Sequence, residues 1–140
     1  LAAPAAGHLR RPPRHVALKD GIILFAHGSR EPEWAQPFER IARQLSATFL
    51  VELAYLERMR PTLDEALASI VKQGARRVRI VPLFLGAGGH IKEDLPKLAA
   101  AARARHAGVE IVLETTIGER QEITDAIAAV ISKGISHQSR

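Results

Sequence analysis

The chain shows two kinds of hydrophobic pattern, which alternate along most of its length. Four short runs are almost continuously apolar, as is usual for strands buried on both faces of a parallel sheet. These predicted strands cover residues 21–26, 50–56, 77–85 and 109–113. After the first run, apolar residues recur at steps of three or four positions (Trp34, Phe38, Ile41, Ala42 and Leu45), which predicts a helix, and a further helix is predicted after each of the other runs. The predicted helices cover residues 33–48, 64–73, 90–106 (beginning at His90 or Lys92) and 121–133.

Strands that alternate with helices imply right-handed crossovers and a parallel sheet. We therefore predict an α/β fold of the flavodoxin-like kind, a three-layer sandwich of about four parallel strands in the order 2-1-3-4 with helices on both faces. Gly134 follows the last predicted helix, and glycine is the usual residue just past a helix end. The predicted domain spans residues 21–134, between a basic flexible tail at 1–20 and a frayed tail at 135–140.

Composition narrows the classes of function. The 140 residues are 46% hydrophobic and 25% charged, which is typical of a globular protein, and the absence of cysteine excludes disulfides, thiolate metal sites and cysteine nucleophiles. Of the net charge of +5, residues 1–20 carry +3, which indicates a solvated tail and not a nucleic-acid arm. No apolar run could span a bilayer, and the first residues lack the apolar core of a signal peptide. We expect a cytoplasmic protein without membrane or nucleic-acid partners.

The predicted strand order brings together three candidate metal ligands. His27, Glu57 and His90 follow strands 1, 2 and 3, and the carboxyl ends of these strands are neighbours in the order 2-1-3-4. Imidazole and carboxylate suit iron, cobalt, nickel or zinc, and imidazole also exchanges protons near neutral pH. The alternative is that each histidine is an ordinary hydrogen-bonded loop residue.

Three glycines precede the second of these histidines. Gly86, Gly88 and Gly89 lie between a strand and a helix, but their spacing matches neither GxGxxG nor a Walker phosphate loop. Glycine there would let a bulky flat ligand approach the backbone. A plain tight turn is the other interpretation.

Charged residues close to the candidate ligands could recognise an anionic substrate. Arg30, Arg58, Arg60 and Lys92 would rim the same edge of the sheet and attract a polycarboxylate, unless they form an ordinary charged surface. Asp94 lies four residues after the second histidine and either orients its imidazole or belongs to the first helical turn.

Several of these segments, taken in order, resemble one protein family. Residues 26–30 (AHGSR), 54–57 (AYLE), 64–66 (DEA) and 82–96 (PLFLGAGGHIKEDLP) are similar to the CbiX/SirB small sirohydrochlorin chelatases, also called class II tetrapyrrole chelatases. The likeness extends from about residue 21 to residue 132. A short HGSR motif is weakly specific, whereas the ordered set is strongly specific.

The resemblance implies a chelatase-like fold and an enzyme, a lyase that inserts a divalent metal into sirohydrochlorin for cobalamin or sirohaem. Cobalt is favoured, with iron or nickel as alternatives, and no organic cofactor is implied. His27 and His90 would bind the metal and accept protons. Glu57 would be the acidic ligand, with Glu52 as the alternative on the same strand. Family members are often two fused units, so a chain of one unit implies a homodimer.

Two other functions stay open at this stage. A non-catalytic carrier of metal or tetrapyrrole would need the same groups as a chelatase. A phosphoryl-transfer enzyme of histidine-phosphatase type would share a His-Gly core, but that core requires an arginine where this chain has Ala26.

Overall fold

The computed structural model describes residues 20–138, and within them a four-stranded parallel sheet has the order β2-β1-β3-β4. The strands are β1 (Asp20–Ala26), β2 (Leu50–Tyr55), β3 (Arg77–Pro82) and β4 (Glu110–Leu113). β1 is central and pairs in parallel with both β2 and β3. The predicted strand order and fold class are confirmed, while the predictions for the tail at 1–19 lie outside the described residues.

Four α-helices connect or follow the strands. They are α1 (Gln36–Leu45), α2 (Leu63–Lys72), α3 (Gly89–Arg105) and α4 (Gln121–Gln138). Short 3₁₀ turns at Pro32–Ala35 and Ile117–Glu119 precede α1 and α4. The predicted helix at 33–48 is thus divided, because Pro37 lacks an N–H and is tolerated only in the first turn of an α-helix.

The main core lies between the sheet and the pair α2 and α3. Alternate residues of β1 point to opposite faces, so Ile23 and Phe25 enter this core together with Leu67 and Ile70 of α2. A Cβ on Gly21 would lie 2.7 Å from the Ile70 side chain, so glycine allows the helix to approach β1 closely. This packing fixes the strand ends that carry the candidate site.

A capping box sets the start of α2. The Glu65 amide donates to the Thr62 hydroxyl at 3.2 Å, and the Thr62 amide donates to the Glu65 carboxylate at 2.9 Å. Both donors would otherwise lack a partner at the helix start. The chain that leaves β2 therefore turns sharply into α2 after a short loop.

The last helix differs from its prediction. Gly134 does not end it, and α4 continues to Gln138, so the expected frayed tail at 135–140 is wrong for residues 135–138. Gly134 keeps a helical backbone without the positive φ of a C-cap, at a cost of about 1 kcal/mol relative to alanine. No helix within residues 20–138 has the length and apolarity to cross a membrane.

Candidate functional site

The carboxyl ends of β1 and β2 bring His27 and Glu57 into contact. Ala26 and Tyr55 are paired at the ends of these strands, and the hydrogen-bonding continues as the Glu57 amide donates to the His27 carbonyl at 3.0 Å. His27 Nε2 lies 2.9 Å from Glu57 Oε2, so the imidazole N–H donates to the carboxylate. Both side chains are about half exposed, at 45% and 48%, and are open to a ligand.

Gly28 makes this contact sterically feasible. Its φ is +102°, and a Cβ at this position would lie 1.8 Å from the Glu57 carbonyl oxygen. Only glycine combines that backbone conformation with so close an approach. The next residue, Ser29, stabilises the loop by accepting the Glu31 amide on its hydroxyl at 3.1 Å. Gly28 is not among the predicted site residues, although a glycine directly after His27 is a signal in the sequence for such a close approach.

Arg58 adds a positive charge to the pair. Its φ of +69° is uncommon for a residue with a side chain, and its Nε lies 3.6 Å from Glu57 Oε2. The Glu57 carboxylate is therefore shared between an imidazole and a guanidinium. The predicted rim position of Arg58 agrees with this placement.

Phe84 supports the imidazole from the side of β3. Its ring makes T-shaped contacts with His27 and with Phe25, each with a centroid distance of 6.5 Å. The Leu83 amide donates to the Phe25 carbonyl at 2.8 Å, which keeps the segment after β3 beside β1. In the sequence, Phe84 is one residue of the predicted apolar strand 77–85, and a local pattern cannot show which ring contacts a residue 57 positions earlier.

His90 lies in the first turn of α3 and is exposed, directly after the glycine loop that contains Gly86, Gly88 and Gly89. In residues 20–138, no three His, Cys, Asp or Glu side chains form a cluster that could hold a metal. The structure therefore joins His27 to Glu57 but does not join His90 to them. Asp94 forms no hydrogen bond with His90 within this part of the chain, although both lie in the same exposed turn.

The alternative acidic residue, Glu52, is engaged elsewhere. Its carboxylate accepts the Ser69 hydroxyl of α2 at 3.0 Å and the side-chain amide of Gln73, the C-cap of α2, at 2.7 Å. It pairs with Ile23 in the middle of the sheet, not at its carboxyl edge. The geometry thus favours Glu57 over Glu52 as the acidic partner of His27.

The remaining predicted cations have different surroundings. Arg30 and Lys92 are exposed, whereas Arg60 donates to the Glu65 carboxylate and so belongs to the cap of α2. This pairing raises the pKa of Arg60 and, together with the amide of Thr62, lowers the pKa of Glu65. Arg30, Arg58 and Lys92 are therefore the better candidates for binding an external carboxylate.

The arrangement has clear chemical consequences. An exposed imidazole next to a carboxylate can attract a divalent cation and accept a proton near neutral pH. Two protein ligands leave most coordination positions free, so a metal would be held loosely and could be passed on. A site of this kind would suit transfer of a metal better than its permanent storage.

Comparison with known proteins identifies relatives across this domain. The CbiX family model matches residues 21–133. A sirohydrochlorin cobaltochelatase of Saccharolobus islandicus (strain Y.G.57.14) is 36% identical over 121 residues, covering 83% of this chain and 93% of the relative. The chloroplastic sirohydrochlorin ferrochelatase of Arabidopsis thaliana is 31% identical over 84% of this chain but only 54% of its own length.

Solved structures show the same fold. A cobalamin-biosynthesis CbiX protein of Marinobacter aquaeolei VT8 superposes with a TM-score of 0.74 at 34% identity, covering 84% of this chain and 98% of that one. The sirohydrochlorin chelatase SirB of Bacillus subtilis subspecies spizizenii, in complex with cobalt, gives 0.70 at 29% identity. That match covers 82% of this chain but 50% of the longer SirB chain.

Proposed function

Because this chain belongs to the CbiX family, we propose that it is a sirohydrochlorin chelatase, a lyase that inserts a divalent metal into the tetrapyrrole. The observation that carries the proposal is the half-exposed pair of His27 and Glu57, joined at 2.9 Å where two parallel strands end. Relatives named as cobalto- and ferrochelatases support the same reaction.

The proposed roles follow from what insertion requires. Two pyrrole N–H protons must leave the ring as the metal enters, so a base must face the ring centre. His27 accepts a proton, and Glu57 attracts the cation and helps to remove its bound water. His90 serves as the second base and metal ligand once the ring is bound.

The rest of the edge would hold the ring. Arg30, Arg58 and Lys92 pair with its peripheral carboxylates, since guanidinium and ammonium groups bind carboxylates by charge-assisted hydrogen bonds. The glycines at 86, 88 and 89 let a flat macrocycle lie near the backbone. A Cβ added at any of them would meet nothing within 4 Å, so this loop has an open surface.

The proposal also concerns which metal is inserted and how many copies of the chain act together. We propose cobalt as the favoured metal, because the Saccharolobus relatives are named cobaltochelatases. Iron and nickel are competitors, since imidazole and carboxylate ligands accept all three metals. Solved SirB structures hold cobalt in one case and Fe³⁺ in another. We also propose that two copies of this one-unit chain act together as a homodimer.

The test is an absorbance time course with sirohydrochlorin and cobalt, iron or nickel, each with and without protein. A protein-dependent rate above the spontaneous one, lost in His27→Ala and His90→Ala, is the expected result. His106→Ala, at the far end of α3, is the matched control and retains the full rate. A saturable change in the ring spectrum without faster insertion would identify a carrier and contradict the proposal.

A further inference from the structure

The loop at residues 57–60 leads from β2 towards α2 and carries the Glu57 carboxylate. The Tyr55 amide donates to the Pro61 carbonyl at 2.9 Å, which closes the loop at its base. The side chains of residues 57, 58 and 60 are exposed, whereas that of Met59 is half-buried. Met59 is therefore the apolar anchor of this loop, and the proposed function leaves it without a role.

Met59 packs against a small apolar cluster that is separate from the main core. We call it the aromatic cluster; it consists of Trp34, Ala26, Ala35, Phe38, Leu53, Tyr55 and Met59. The Trp34 ring centroid lies 4.7 Å from that of Phe38 and 6.3 Å from that of Tyr55. Ala26 directly precedes His27, and Tyr55 lies two residues before Glu57. The aromatic cluster therefore connects the two strand ends that carry the imidazole and the carboxylate.

The backbone explains how Met59 reaches the aromatic cluster. The positive φ of Arg58, +69°, is a turn conformation, so the chain changes direction at this residue. Glu57 and Arg58 stay at the surface, while the side chain that follows them packs against the domain. An unbranched thioether side chain is well suited to fill the irregular space beside several rings.

Other contacts restrain this part of the loop only weakly. Residues 58–60 make no hydrogen bond from backbone to backbone within the described chain. The Glu57 carboxylate lies 2.9 Å from His27 Nε2 and 3.6 Å from Arg58 Nε, but all three side chains are about half exposed. Ion pairs between exposed groups contribute little to stability. The packing of Met59 therefore restrains the loop where its polar contacts do not.

We propose that Met59 is a positioning residue for metal insertion: it holds the turn at Arg58 and so keeps the Glu57 carboxylate against His27. This inference rests on the proposed function and adds a residue that acts through Glu57 and not on the substrate. A reacting group that is displaced by about 1 Å can lose about 100-fold in rate. A loosened loop should therefore slow insertion even if the fold is intact.

The first test compares two truncations in the same cluster. Met59→Ala should lower kcat for insertion about tenfold, and Met59→Leu, which keeps the apolar volume, should restore it. Leu53→Ala is the matched control, since Leu53 packs in the aromatic cluster but lies within β2. It should lower stability and keep the wild-type kcat. Equal losses of kcat in Met59→Ala and Leu53→Ala would show a purely structural role and overturn the proposal.

The second test needs no turnover. Calorimetry with Co²⁺ alone gives a Kd for wild type, Met59→Ala, Glu57→Ala and the double variant, which together form a double-mutant cycle. Met59→Ala should raise the Kd several-fold in the wild-type background and cause no further rise in the Glu57→Ala background. Equal rises in both backgrounds would refute action through Glu57. A wild type that binds Co²⁺ but does not accelerate insertion would contradict the proposed chelatase, and the cycle would still decide the role of Met59.

A third test perturbs Met59 after the chain has folded. Met59 is the single methionine of a chain without cysteine, so it is the main target for mild peroxide in the absence of metal. Hydrogen peroxide transfers one oxygen atom to the thioether, which gives the sulfoxide and water and places a polar group in the apolar contact. After the peroxide is removed, oxidised wild type should lose kcat as Met59→Ala does, and Met59→Leu should resist the treatment. An unchanged kcat after complete oxidation, verified by mass, would contradict the proposal.

Discussion

At the residue scale, the candidate site depends on two unusual backbone conformations. Gly28 and Arg58 both have positive φ, at +102° and +69°, and they lie on the two loops that His27 and Glu57 begin. Such conformations cost energy for residues with a side chain and persist only where the surrounding structure imposes them. They bring the backbone of one loop against that of the other and so hold the imidazole and carboxylate together.

Gly28→Ala should damage both stability and the site. The added Cβ meets the Glu57 carbonyl and requires a disfavoured φ, so the free energy of unfolding should fall by at least about 1–3 kcal/mol. The rate of metal insertion should fall as well, because Glu57 must move from His27. Urea unfolding and the absorbance time course measure the two effects. Gly108→Ala, which needs no positive φ and has open space around an added Cβ, is the control and should keep wild-type stability and insertion rate.

Substitutions of Arg58 should separate backbone strain from charge. Arg58→Gly and Arg58→Ala both remove the guanidinium, so both should raise the KM for sirohydrochlorin roughly tenfold, a factor that corresponds to about 1.4 kcal/mol. Glycine tolerates the positive φ, so the glycine variant should be more stable than the alanine variant by about 1 kcal/mol. Equal KM values for wild type and both variants would show that Arg58 does not bind the substrate.

At the element scale, the start of α2 links the loop after Glu57 to the core. The capping box of Thr62 and Glu65 is extended by Arg60, which donates to the Glu65 carboxylate. The helix then buries Leu63, Ala66, Leu67 and Ile70 against the sheet. The cap therefore sets where the loop that carries Glu57 and Arg58 must end.

The cap should make stability depend on pH. The Arg60 guanidinium and the Thr62 amide lower the pKa of Glu65 below its ordinary value of 4.5. A carboxyl with a lower pKa in the folded state stabilises the fold above its unfolded pKa, and this stabilisation is lost as pH falls through the folded pKa. Glu65→Gln should therefore lower the free energy of unfolding at pH 7. This difference from wild type should disappear well below pH 4.5.

Urea unfolding of wild type and Glu65→Gln across that pH range measures the difference. Glu93→Gln, at an exposed position of α3, is the control for loss of a surface carboxylate and should show no such pH-dependent difference. A constant difference between wild type and Glu65→Gln at all pH values would mean that the charge of Glu65 does not stabilise the cap.

At the scale of the whole molecule, attraction for an anionic ring must be local. Residues 20–138 contain equal numbers of basic and acidic residues, so the domain has no net positive charge to attract anions. The basic excess lies in the segment 1–19 and at Arg140. Binding of a polycarboxylate therefore depends on the few cations near the site and is screened by salt.

Salt should weaken substrate binding without slowing the chemical step. Raising the ionic strength from about 0.02 M to about 0.5 M should raise KM several-fold and leave kcat unchanged, because the Debye length falls below the spacing of exposed charges. The KM of Lys92→Gln should rise less steeply with ionic strength than that of wild type. Arg76→Gln, at the amino end of β3 and away from the site, should behave as wild type. A KM that does not change with salt would exclude recognition of carboxylates by these cations.

The hydrophobic pattern predicted the alternation of strands and helices. A strand buried on both faces is a continuous apolar run, whereas a helix buried on one side repeats apolar residues every three or four positions. The strand order 2-1-3-4 is the common arrangement of small parallel α/β domains, and the meeting of His27 with Glu57 follows from that order. The helix bounds were less accurate, most clearly at Gly134, since glycine permits a helix to end without requiring it.

Tertiary structure alone decided contacts between distant segments. It engaged Glu52 with α2, placed the Phe84 ring against His27, and left His90 outside the pair of His27 and Glu57. It also continued α4 through Gly134 to Gln138 and left no residue of that helix buried within the described part of the chain. Periodicity indicates that a side of a helix is apolar, but what covers that side depends on the directions in which the elements leave the sheet, and those follow from packing over the whole domain.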